Sequence, residues 1–288
     1  ELGSINMVYG AAASGIKAMT STSGPGWSLM QETMSHMANA ELPAVIIDVQ
    51  RGGPGGTPIR HAQMDYFQCT RGGGHGDYRN IVLTPASSQE CCDMTQLAFY
   101  LADKYRNPVI VMSDAIIGRL RETVEVKSLD FGPLPDKNWV ATGKANHPDG
   151  KRRIVEHYAD ISPRYGSYQA FLKSLKQKIE QMEKNELRYE NYKTDDAELI
   201  LVAYGYTARV SKGAVNMARA EGIKAGLIRL LTVWPFPYGP IREKAHHGCN
   251  FLVVEDSLGQ MVEDVQFAVE GRTDVQLVSI LDRHLPTD

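Results

Sequence analysis

The segment from residue 41 to residue 78 constrains this chain most, because a buried strand leads directly into glycine-rich sequence. Residues 44–49 (AVIIDV) form a largely apolar, β-branched run, which is typical of a strand buried on both faces. Glycines cluster at residues 52–56 and again at 72–76, where the backbone can approach a ligand closely. The anion-binding and titratable side chains of the segment are Arg51, Arg60, His61, Asp65, Arg71 and His75. Ligands bind beyond the carboxyl ends of strands in open α/β sheets, so the segment predicts the rim of an active site.

Strands and helices are predicted to alternate through both halves of the chain. This alternation is typical of a mostly parallel sheet with helices on both faces. Between the two halves, a stretch rich in proline and polar residues leads into one long charged helix, predicted over residues 165–192. We therefore predict an α/β protein with a doubly wound domain at 1–125, a linker with the long helix at 126–196 and a smaller α/β domain at 197–288.

The first residue, Glu1, opens directly into a helical pattern that places Ile5, Val8 and Ala12 on one face. A helix at a true N-terminus would fray, and a doubly wound sheet usually begins with a strand. We therefore expect that a preceding strand and helix are missing from this sequence.

The charge and composition of the chain limit the kinds of partner that it is expected to bind. The formal net charge of −3 over 288 residues gives no reason to expect nucleic acid or an anionic membrane surface. No apolar run is long enough to span a bilayer. The cysteines form no CxxC motif and fit a reducing cytosol, so we predict a cytoplasmic chain that ligates no iron–sulfur cluster itself. They are Cys69, Cys91, Cys92 and Cys249.

Several ordered motifs across the whole chain are similar to one known family. They are ELGSINMVYGAAASG, TSTSGPGWSLMQE, RGGPGGTPI, GGGHGDY, LADKYRNPVIVMSD, LLTVWPFP and VVEDSLGQMVEDV. Together they resemble the α subunit of 2-oxoacid:ferredoxin oxidoreductases. GGPGG followed by GGGHGDYRNIVL looks closer to the branched-chain (3-methyl-2-oxobutanoate, or 2-ketoisovalerate) members, whereas 2-oxoglutarate α subunits more often carry GGPSTG and THGDH.

This resemblance implies thiamine diphosphate chemistry, in which a 2-oxoacid is oxidatively decarboxylated to an acyl-CoA and electrons pass through iron–sulfur clusters to ferredoxin. It implies a pyrimidine-binding domain and a transketolase C-terminal-like domain in this chain. A β subunit would carry the diphosphate and Mg²⁺ domain, and γ and ferredoxin-like δ subunits would complete the complex with its [4Fe-4S] clusters. Residues 76–80 (GDYRN) lack the second glycine and the spacing of the usual GDG…N motif.

The resemblance also assigns site residues. Glu1 matches the glutamate that meets the aminopyrimidine N1′ of thiamine diphosphate, where a carboxyl group shares a proton with that nitrogen. The alternative is an ordinary glutamate that favours the helix dipole. Arg51 matches an arginine that binds the substrate carboxylate through its planar guanidinium; the alternative is a structural ion pair.

Weaker candidates surround these two residues. His75 is a candidate for binding substrate or cofactor, although loop histidines are often structural. Ser23 and Gly24 are candidates for the border of the cofactor pocket, with a helix N-cap as the alternative. Gly52 and Gly53 are candidate cofactor contacts that more simply shape the backbone.

We predict no metal site, because His246, His247 and Cys249 have no fourth ligand in view. Glu255 and Asp256 follow a predicted strand, and we expect them to face an inter-domain or subunit cleft rather than a solvated loop.

The sequence leaves two functional alternatives open. The same kind of complex could act on 2-oxoglutarate, pyruvate or an aryl pyruvate, because pockets distinguish apolar side chains by only ~1–3 kcal/mol per methylene. The second alternative is a non-catalytic scaffold subunit that keeps the fold and has lost the chemistry.

Overall fold

The computed structural model describes residues 1–57, 59–141, 149–155 and 164–281. Helices and strands are numbered in chain order. The strands are β1 (Met19–Thr22), β2 (Ala44–Gln50), β3 (Ile81–Leu83), β4 (Pro108–Asp114), β5 (Tyr189–Tyr192), β6 (Leu199–Tyr204), β7 (Ala225–Leu230), β8 (Thr232–Trp234), β9 (Asn250–Glu255) and β10 (Val275–Ser279). The helices are α1 (Leu2–Ala13), α2 (Pro25–Asn39), α3 (Tyr66–Arg71), α4 (Ser88–Tyr105), α5 (Tyr168–Asn185), α6 (Gly205–Ala220), α7 (Tyr238–His246) and α8 (Met261–Val269), with a short 3-10 helix at Ile117–Arg119.

The first sheet has the strand order β1-β2-β4-β3-β8. Its first four strands are parallel, and β2 lies between β1 and β4, with Val45 and Ile46 fully buried. The apolar run predicted as a strand buried on both faces therefore occupies an interior position. Its carboxyl end, at Gln50, leads into the first glycine cluster, so the sheet delivers that loop to the edge where ligands bind.

The second sheet has the strand order β10-β9-β6-β7-β5. Strands β10, β9, β6 and β7 are parallel, while β5 runs antiparallel to β7 at the edge. The apolar residues of β6 and β9 are buried, including Ile200, Val202 and Phe251. The parallel α/β architecture predicted for both halves of the chain is confirmed.

The predicted long helix over residues 165–192 is wrong at its carboxyl end. Helix α5 ends at Asn185, and the chain continues into β5. The reason lies in Glu186, which is buried and accepts hydrogen bonds from Lys104 Nζ at 2.7 Å and Arg188 Nη2 at 2.7 Å. This anchored carboxylate fixes the turn, and the pairing of β5 with β7 outweighs the local helical preference.

Each sheet takes an edge strand from outside the segment expected to build it. Strand β8 comes from the carboxyl-terminal segment, yet it pairs antiparallel with β3 through Val82 and Trp234. Strand β5 comes from the expected linker and completes the second sheet. These two pairings tie the halves of the chain together through backbone hydrogen bonds.

A buried polar contact joins the carboxyl ends of the strands of the two sheets. The Gln63 backbone N–H donates to the Asp256 carbonyl at 2.7 Å, and its side-chain amide donates to the Tyr204 carbonyl at 2.9 Å. Tyr66 in α3, a helix that the sequence analysis did not predict, donates its hydroxyl to Asp264 at 2.7 Å. The loop between the two glycine clusters is therefore fixed against the second sheet.

In the described part of the chain, no helix has the length and apolarity needed to cross a bilayer.

Candidate active site

An open cleft of about 430 Å³ lies beyond the carboxyl end of β2. Its walls come from the start of α2, the first glycine cluster and the loop that follows β9. The lining residues include Gly24, Pro25, Arg51, Gly52, Gly53, Pro54, Met64, Asp65, Leu258 and Gln260. Four of the residues predicted from the sequence, Arg51, Gly24, Gly52 and Gly53, are thus brought together in one place.

Arg51 is held at the mouth of this cleft by the backbone. Its guanidinium donates to the Thr57 carbonyl at 3.1 Å, across the turn of the glycine cluster. Its side chain packs over Gly24, where a Cβ atom would lie 2.5 Å from Arg51 Nε. Among the described residues no carboxylate forms an ion pair with Arg51 within 4.0 Å. The guanidinium therefore keeps donor capacity for an anion in the cleft.

Glu1 packs against the same turn as Arg51. A Cβ atom on Gly26 would lie 2.6 Å from Glu1 Oε1 and 2.7 Å from its Cγ. Glu1 precedes α1 as its N-cap residue, but its side chain makes no capping hydrogen bond. The exposed carboxylate is thus directed toward the start of α2 instead of the backbone of its own helix. The turn Gly24–Gly26 brings Glu1 and Arg51, which are far apart in sequence, to one end of β1.

Ser23 precedes this turn, and its carbonyl accepts the Gly26 N–H at 3.3 Å. Its backbone therefore helps to close the turn on which Glu1 and Arg51 pack.

His75 lies in a different groove, of about 440 Å³, between α2, the second glycine cluster and α5. This groove is lined by His36, Tyr168 and Leu172 among others. The structure does not bring His75 to the cleft that holds Arg51. The reason is that α3, which the sequence analysis did not predict, separates the two glycine clusters.

Two buried carboxyl groups lie at the cleft: Asp65 lines it, and Asp48 lies in the neighbouring strand β2. The sequence placed Asp65 among the titratable groups of the predicted rim but gave neither carboxyl group a specific role. Burial raises the pKa of Asp48 well above its usual range, and neighbouring Asp65 raises it further. Burial also raises the pKa of Asp65, to about 6, although hydrogen bonding and the positive charge of Arg51 oppose that shift. The signal available in the sequence was an aspartate inside the otherwise apolar run 44–49.

Glu255 and Asp256 are both buried and do not form a solvated loop. Asp256 accepts a hydrogen bond from the Tyr206 hydroxyl at 2.6 Å and contacts His61 Nδ1 at 2.6 Å. Glu255 accepts backbone N–H groups at the start of α8, including Met261 N at 3.0 Å. Both acids therefore have structural partners.

The described residues contain no group of three or more His, Cys, Asp or Glu side chains arranged to hold a metal ion. Cys249, beside the histidine pair noted in the sequence, donates its thiol to the Ala197 carbonyl at 3.1 Å.

Comparison with a solved structure supports the fold. A split-gene transketolase, an inactive β4 tetramer, superposes with a TM-score of 0.56 at 14% identity, covering 98% of this chain and 73% of that one. At that identity the likeness establishes the α/β fold alone. The predicted fold class is confirmed.

The family follows from sequence. Residues 1–196 match the family described as pyruvate flavodoxin/ferredoxin oxidoreductase, thiamine diphosphate-binding, and residues 197–285 match pyruvate:ferredoxin oxidoreductase core domain II. The chain is 49% identical to the ketoisovalerate oxidoreductase subunit VorB of Methanothermobacter marburgensis, covering 99% of this chain and 79% of the relative. The chain belongs to the 2-oxoacid:ferredoxin oxidoreductase family, which confirms the resemblance found in its motifs.

Two further relatives cover most of the chain. The 2-oxoglutarate synthase subunit KorA of the same organism is 39% identical, over 96% of this chain and 80% of the relative. A 2-oxoglutarate:ferredoxin oxidoreductase from Magnetococcus marinus, solved with 2-oxoglutarate, coenzyme A and succinyl-CoA bound, has a TM-score of 0.78 at 27% identity. That superposition covers 96% of this chain but only 53% of the solved chain, so this sequence spans about half its length.

Proposed function

We propose that this chain is the α-type subunit of a thiamine diphosphate-dependent 2-oxoacid:ferredoxin oxidoreductase that converts a branched-chain 2-oxoacid to an acyl-CoA and reduces ferredoxin. One observation carries the proposal: the Arg51 guanidinium, which forms no ion pair among the described residues, and the Glu1 carboxylate, which makes no capping hydrogen bond, pack on the same turn at the carboxyl end of a buried sheet. Arg51 would bind the carboxylate of the substrate as a bidentate partner. Glu1 would exchange a proton with the cofactor.

The residues at this turn fit the pyrimidine side of the cofactor. Gly26 has no side chain to cover the Glu1 carboxylate, and no hydrogen bond within α1 commits that carboxylate. When bound, thiamine diphosphate supplies the nucleophilic carbon and the electron sink for decarboxylation. Glu1 would hold a proton at the pyrimidine N1′, while Ser23, Gly24, Gly52 and Gly53 would shape the backbone around the cofactor.

His75 stays a candidate ligand of lower rank, because its groove is separate from the Arg51 cleft. We assign it to a contact with substrate or cofactor only if a partner subunit extends the site toward that groove. The predicted roles of Glu1 and Arg51 do not depend on it.

The partners follow from the family. The relatives are named as subunits, which supports a multi-subunit complex. We propose that a β subunit supplies the diphosphate-binding domain and Mg²⁺, and that γ and ferredoxin-like δ subunits carry [4Fe-4S] clusters toward ferredoxin. Coenzyme A would accept the acyl group. The cysteines of this chain are free thiols, which supports a reducing, cytoplasmic location.

Sequence similarity favours branched-chain substrates over the alternatives. Two ketoisovalerate oxidoreductase subunits are 49% and 48% identical to this chain, whereas the 2-oxoglutarate synthase subunit of the same species is 39% identical. The cleft adds apolar side chains beside Arg51, among them Met64 and Leu258. An isopropyl group gains from such surroundings, while a second carboxylate does not.

A panel of 2-oxoacids tests the substrate. The purified native complex, supplied with coenzyme A and a low-potential dye, is expected to give a kcat/KM for 3-methyl-2-oxobutanoate about tenfold or more above that for pyruvate, since each methylene contributes ~1–3 kcal/mol. Activity should depend on added thiamine diphosphate after the cofactor is depleted. A preference for 2-oxoglutarate would keep the family and overturn the substrate. No turnover of any 2-oxoacid by a complex that contains its cofactor and clusters would favour the scaffold alternative.

The geometry of the turn is tested by Gly26→Ala. The added methyl group would overlap both the Thr22 hydroxyl and the Glu1 carboxylate, and it is expected to lower kcat about tenfold or more by displacing Glu1. Gly10→Ala is the matched control, because a Cβ atom there meets nothing within 4 Å. Steady-state kinetics of the two variant complexes make the comparison. Equal activities would show that the position of Glu1 against this turn is not required.

A further inference from the structure

Asp65 occupies the N-cap position of α3 without acting as a cap. Its side chain makes no capping hydrogen bond to that helix. It lines the same cleft as Arg51, yet Asp65 as a whole is only 8% exposed. Its Oδ2 atom is buried and has no hydrogen-bond partner in the described part of the structure. An aspartate at an N-cap normally uses its carboxylate on the helix, so this carboxylate serves another purpose.

The carboxyl group of Asp65 lies near Arg51, with which it lines the cleft. The backbone N–H and the positive charge of Arg51 both lower the pKa of Asp65, against the larger effect of burial. The Asp65 backbone is itself fixed, since its N–H donates to Gln50 Oε1 at 3.3 Å. Asp65 therefore connects the strand end that carries Arg51 to the wall of the cleft.

A second carboxyl group, that of Asp48, lies near Asp65. Asp48 in β2 is fully buried, and its Oδ1 atom has no hydrogen-bond partner among the described residues. Its Oδ2 atom accepts a weak hydrogen bond from the Cys69 thiol at 3.7 Å. Burial raises the pKa of the Cys69 thiol, and the two carboxylates raise it further, which places all three groups together. The Cys69 thiol and the Asp65 carboxyl group therefore both keep their protons to a higher pH than they would in water.

The other groups that face this pair are few. Asp48 comes from β2, Arg51 directly follows that strand, and Cys69 comes from α3. From β6, Tyr204 reaches the cluster through Gln50, its hydroxyl lying 3.4 Å from the same Oε1 atom. The loop before α8 contributes the neutral side chain of Gln260, which donates to the Met64 carbonyl at 2.8 Å. Arg51 is therefore the cation that faces Asp65 among these groups.

We propose that Asp65 is a positioning residue for Arg51: its carboxyl group, which lines the cleft beside the Arg51 backbone and has Asp48 near its buried side, sets the charge that an incoming 2-oxoacid carboxylate meets. This inference rests on the proposed function for its substrate and on the geometry for the contact. When Asp65 is neutral, the Arg51 guanidinium is available to bind the substrate carboxylate. Ionised Asp65 repels the substrate carboxylate and competes for Arg51, so substrate binding weakens as pH rises.

Two substitutions separate the loss of the polar side chain from the loss of its charge. Asp65→Ala removes the carboxyl group beside the Arg51 backbone, and it is expected to raise KM for 3-methyl-2-oxobutanoate about tenfold with little change in kcat. Asp65→Asn keeps an acceptor oxygen and removes the charge, so KM is expected to stay near the wild-type value at low pH. Asp77→Asn, an exposed acid close by in sequence, is the control.

The pH dependence of kcat/KM tests the proposed role, because a residue with only a structural role would not change it. Between about pH 6 and about pH 8, kcat/KM of the wild-type complex is expected to fall about five- to tenfold because the Asp65 charge develops. The Asp65→Asn profile should be flatter over that range, and the Asp77→Asn profile should follow the wild type. Identical profiles for wild type and Asp65→Asn, or an unchanged KM in Asp65→Ala, would overturn the proposal.

A spectroscopic measurement keeps the test independent of turnover. Infrared difference spectra of the complex in H₂O and D₂O are expected to show the carbonyl stretch of a protonated carboxylic acid, reduced in Asp48→Asn at neutral pH and reduced in Asp65→Asn below about pH 6. A band unchanged in both variants would refute the buried acid pair. If the band behaves as expected and no 2-oxoacid is turned over, the proposed function and the substrate-directed role of Asp65 both fail, and the acid pair alone stands.

Discussion

Replacing Glu1 with glutamine is expected to lower kcat of the complex by a factor of about 10²–10⁴, the usual contribution of a positioned acid–base group. Glutamine preserves the shape of the side chain against Gly26 but cannot exchange a proton with the pyrimidine ring. Substrate KM should change little, because Glu1 does not face the carboxylate of the 2-oxoacid. The measurement is steady-state dye reduction with 3-methyl-2-oxobutanoate, alongside calorimetric binding of thiamine diphosphate.

The control distinguishes catalysis from helix electrostatics. Glu263 is an exposed glutamate in the first turn of α8, so Glu263→Gln removes the same charge near another helix N-terminus. Charge near a helix N-terminus contributes only about 0.3–1 kcal/mol, and this affects stability rather than rate. Full activity in Glu1→Gln, in a complex that binds the cofactor, would return Glu1 to the role of a helix residue and support the scaffold alternative.

The parts of the fold that could be predicted are those determined by residues close together in the sequence. The run 44–49 became an interior strand because its apolar, β-branched side chains suit a position buried on both faces. The glycines of 52–56 were correctly placed at a cleft, since the chain must turn where that strand ends. In both cases neighbours in sequence contain the information.

The errors in the fold concern pairings between distant residues. Strand β5 has only four residues and no strong strand signal, and its partner β7 lies more than 30 residues further along the chain. Strand β8 pairs with β3, which is separated from it by nearly 150 residues. Short edge strands depend on such partners for their stability, so the local pattern extended the charged helix through β5 instead.

The candidate site shows the same limit. Motif similarity identified Glu1 and Arg51 separately, but only the fold shows that both pack on the turn at Gly24 and Gly26. Motif order suggested that His75 belongs with them, whereas α3 directs the second glycine cluster to another groove. Asp65 gained a role only when its unused cap position and its contact with Arg51 were visible.

Replacing Arg51 with methionine is expected to reduce kcat/KM for the 2-oxoacid by a factor of about 10²–10³, since removing one member of a buried charge pair costs about 2–5 kcal/mol. Arg51→Lys keeps the charge but loses the planar fork, and a loss of about tenfold is expected. Most of the effect should appear in KM, because Arg51 binds the carboxylate of the intact substrate, and that group leaves as CO₂ in the chemical step. Kinetics over a range of substrate concentrations with intact variant complexes provide the measurement.

Three comparisons make this result specific to the cleft. Arg272→Met removes an exposed guanidinium beside Glu270, far along the chain, and should leave the kinetics unchanged. Cofactor binding should also persist in Arg51→Met, because this residue is assigned to substrate. Wild-type kcat/KM in both Arg51 variants would mean that the guanidinium serves the loop, through its bond to the Thr57 carbonyl, and that the substrate carboxylate is bound elsewhere. A graded loss, with lysine between arginine and methionine, is the pattern that only a bidentate carboxylate contact predicts.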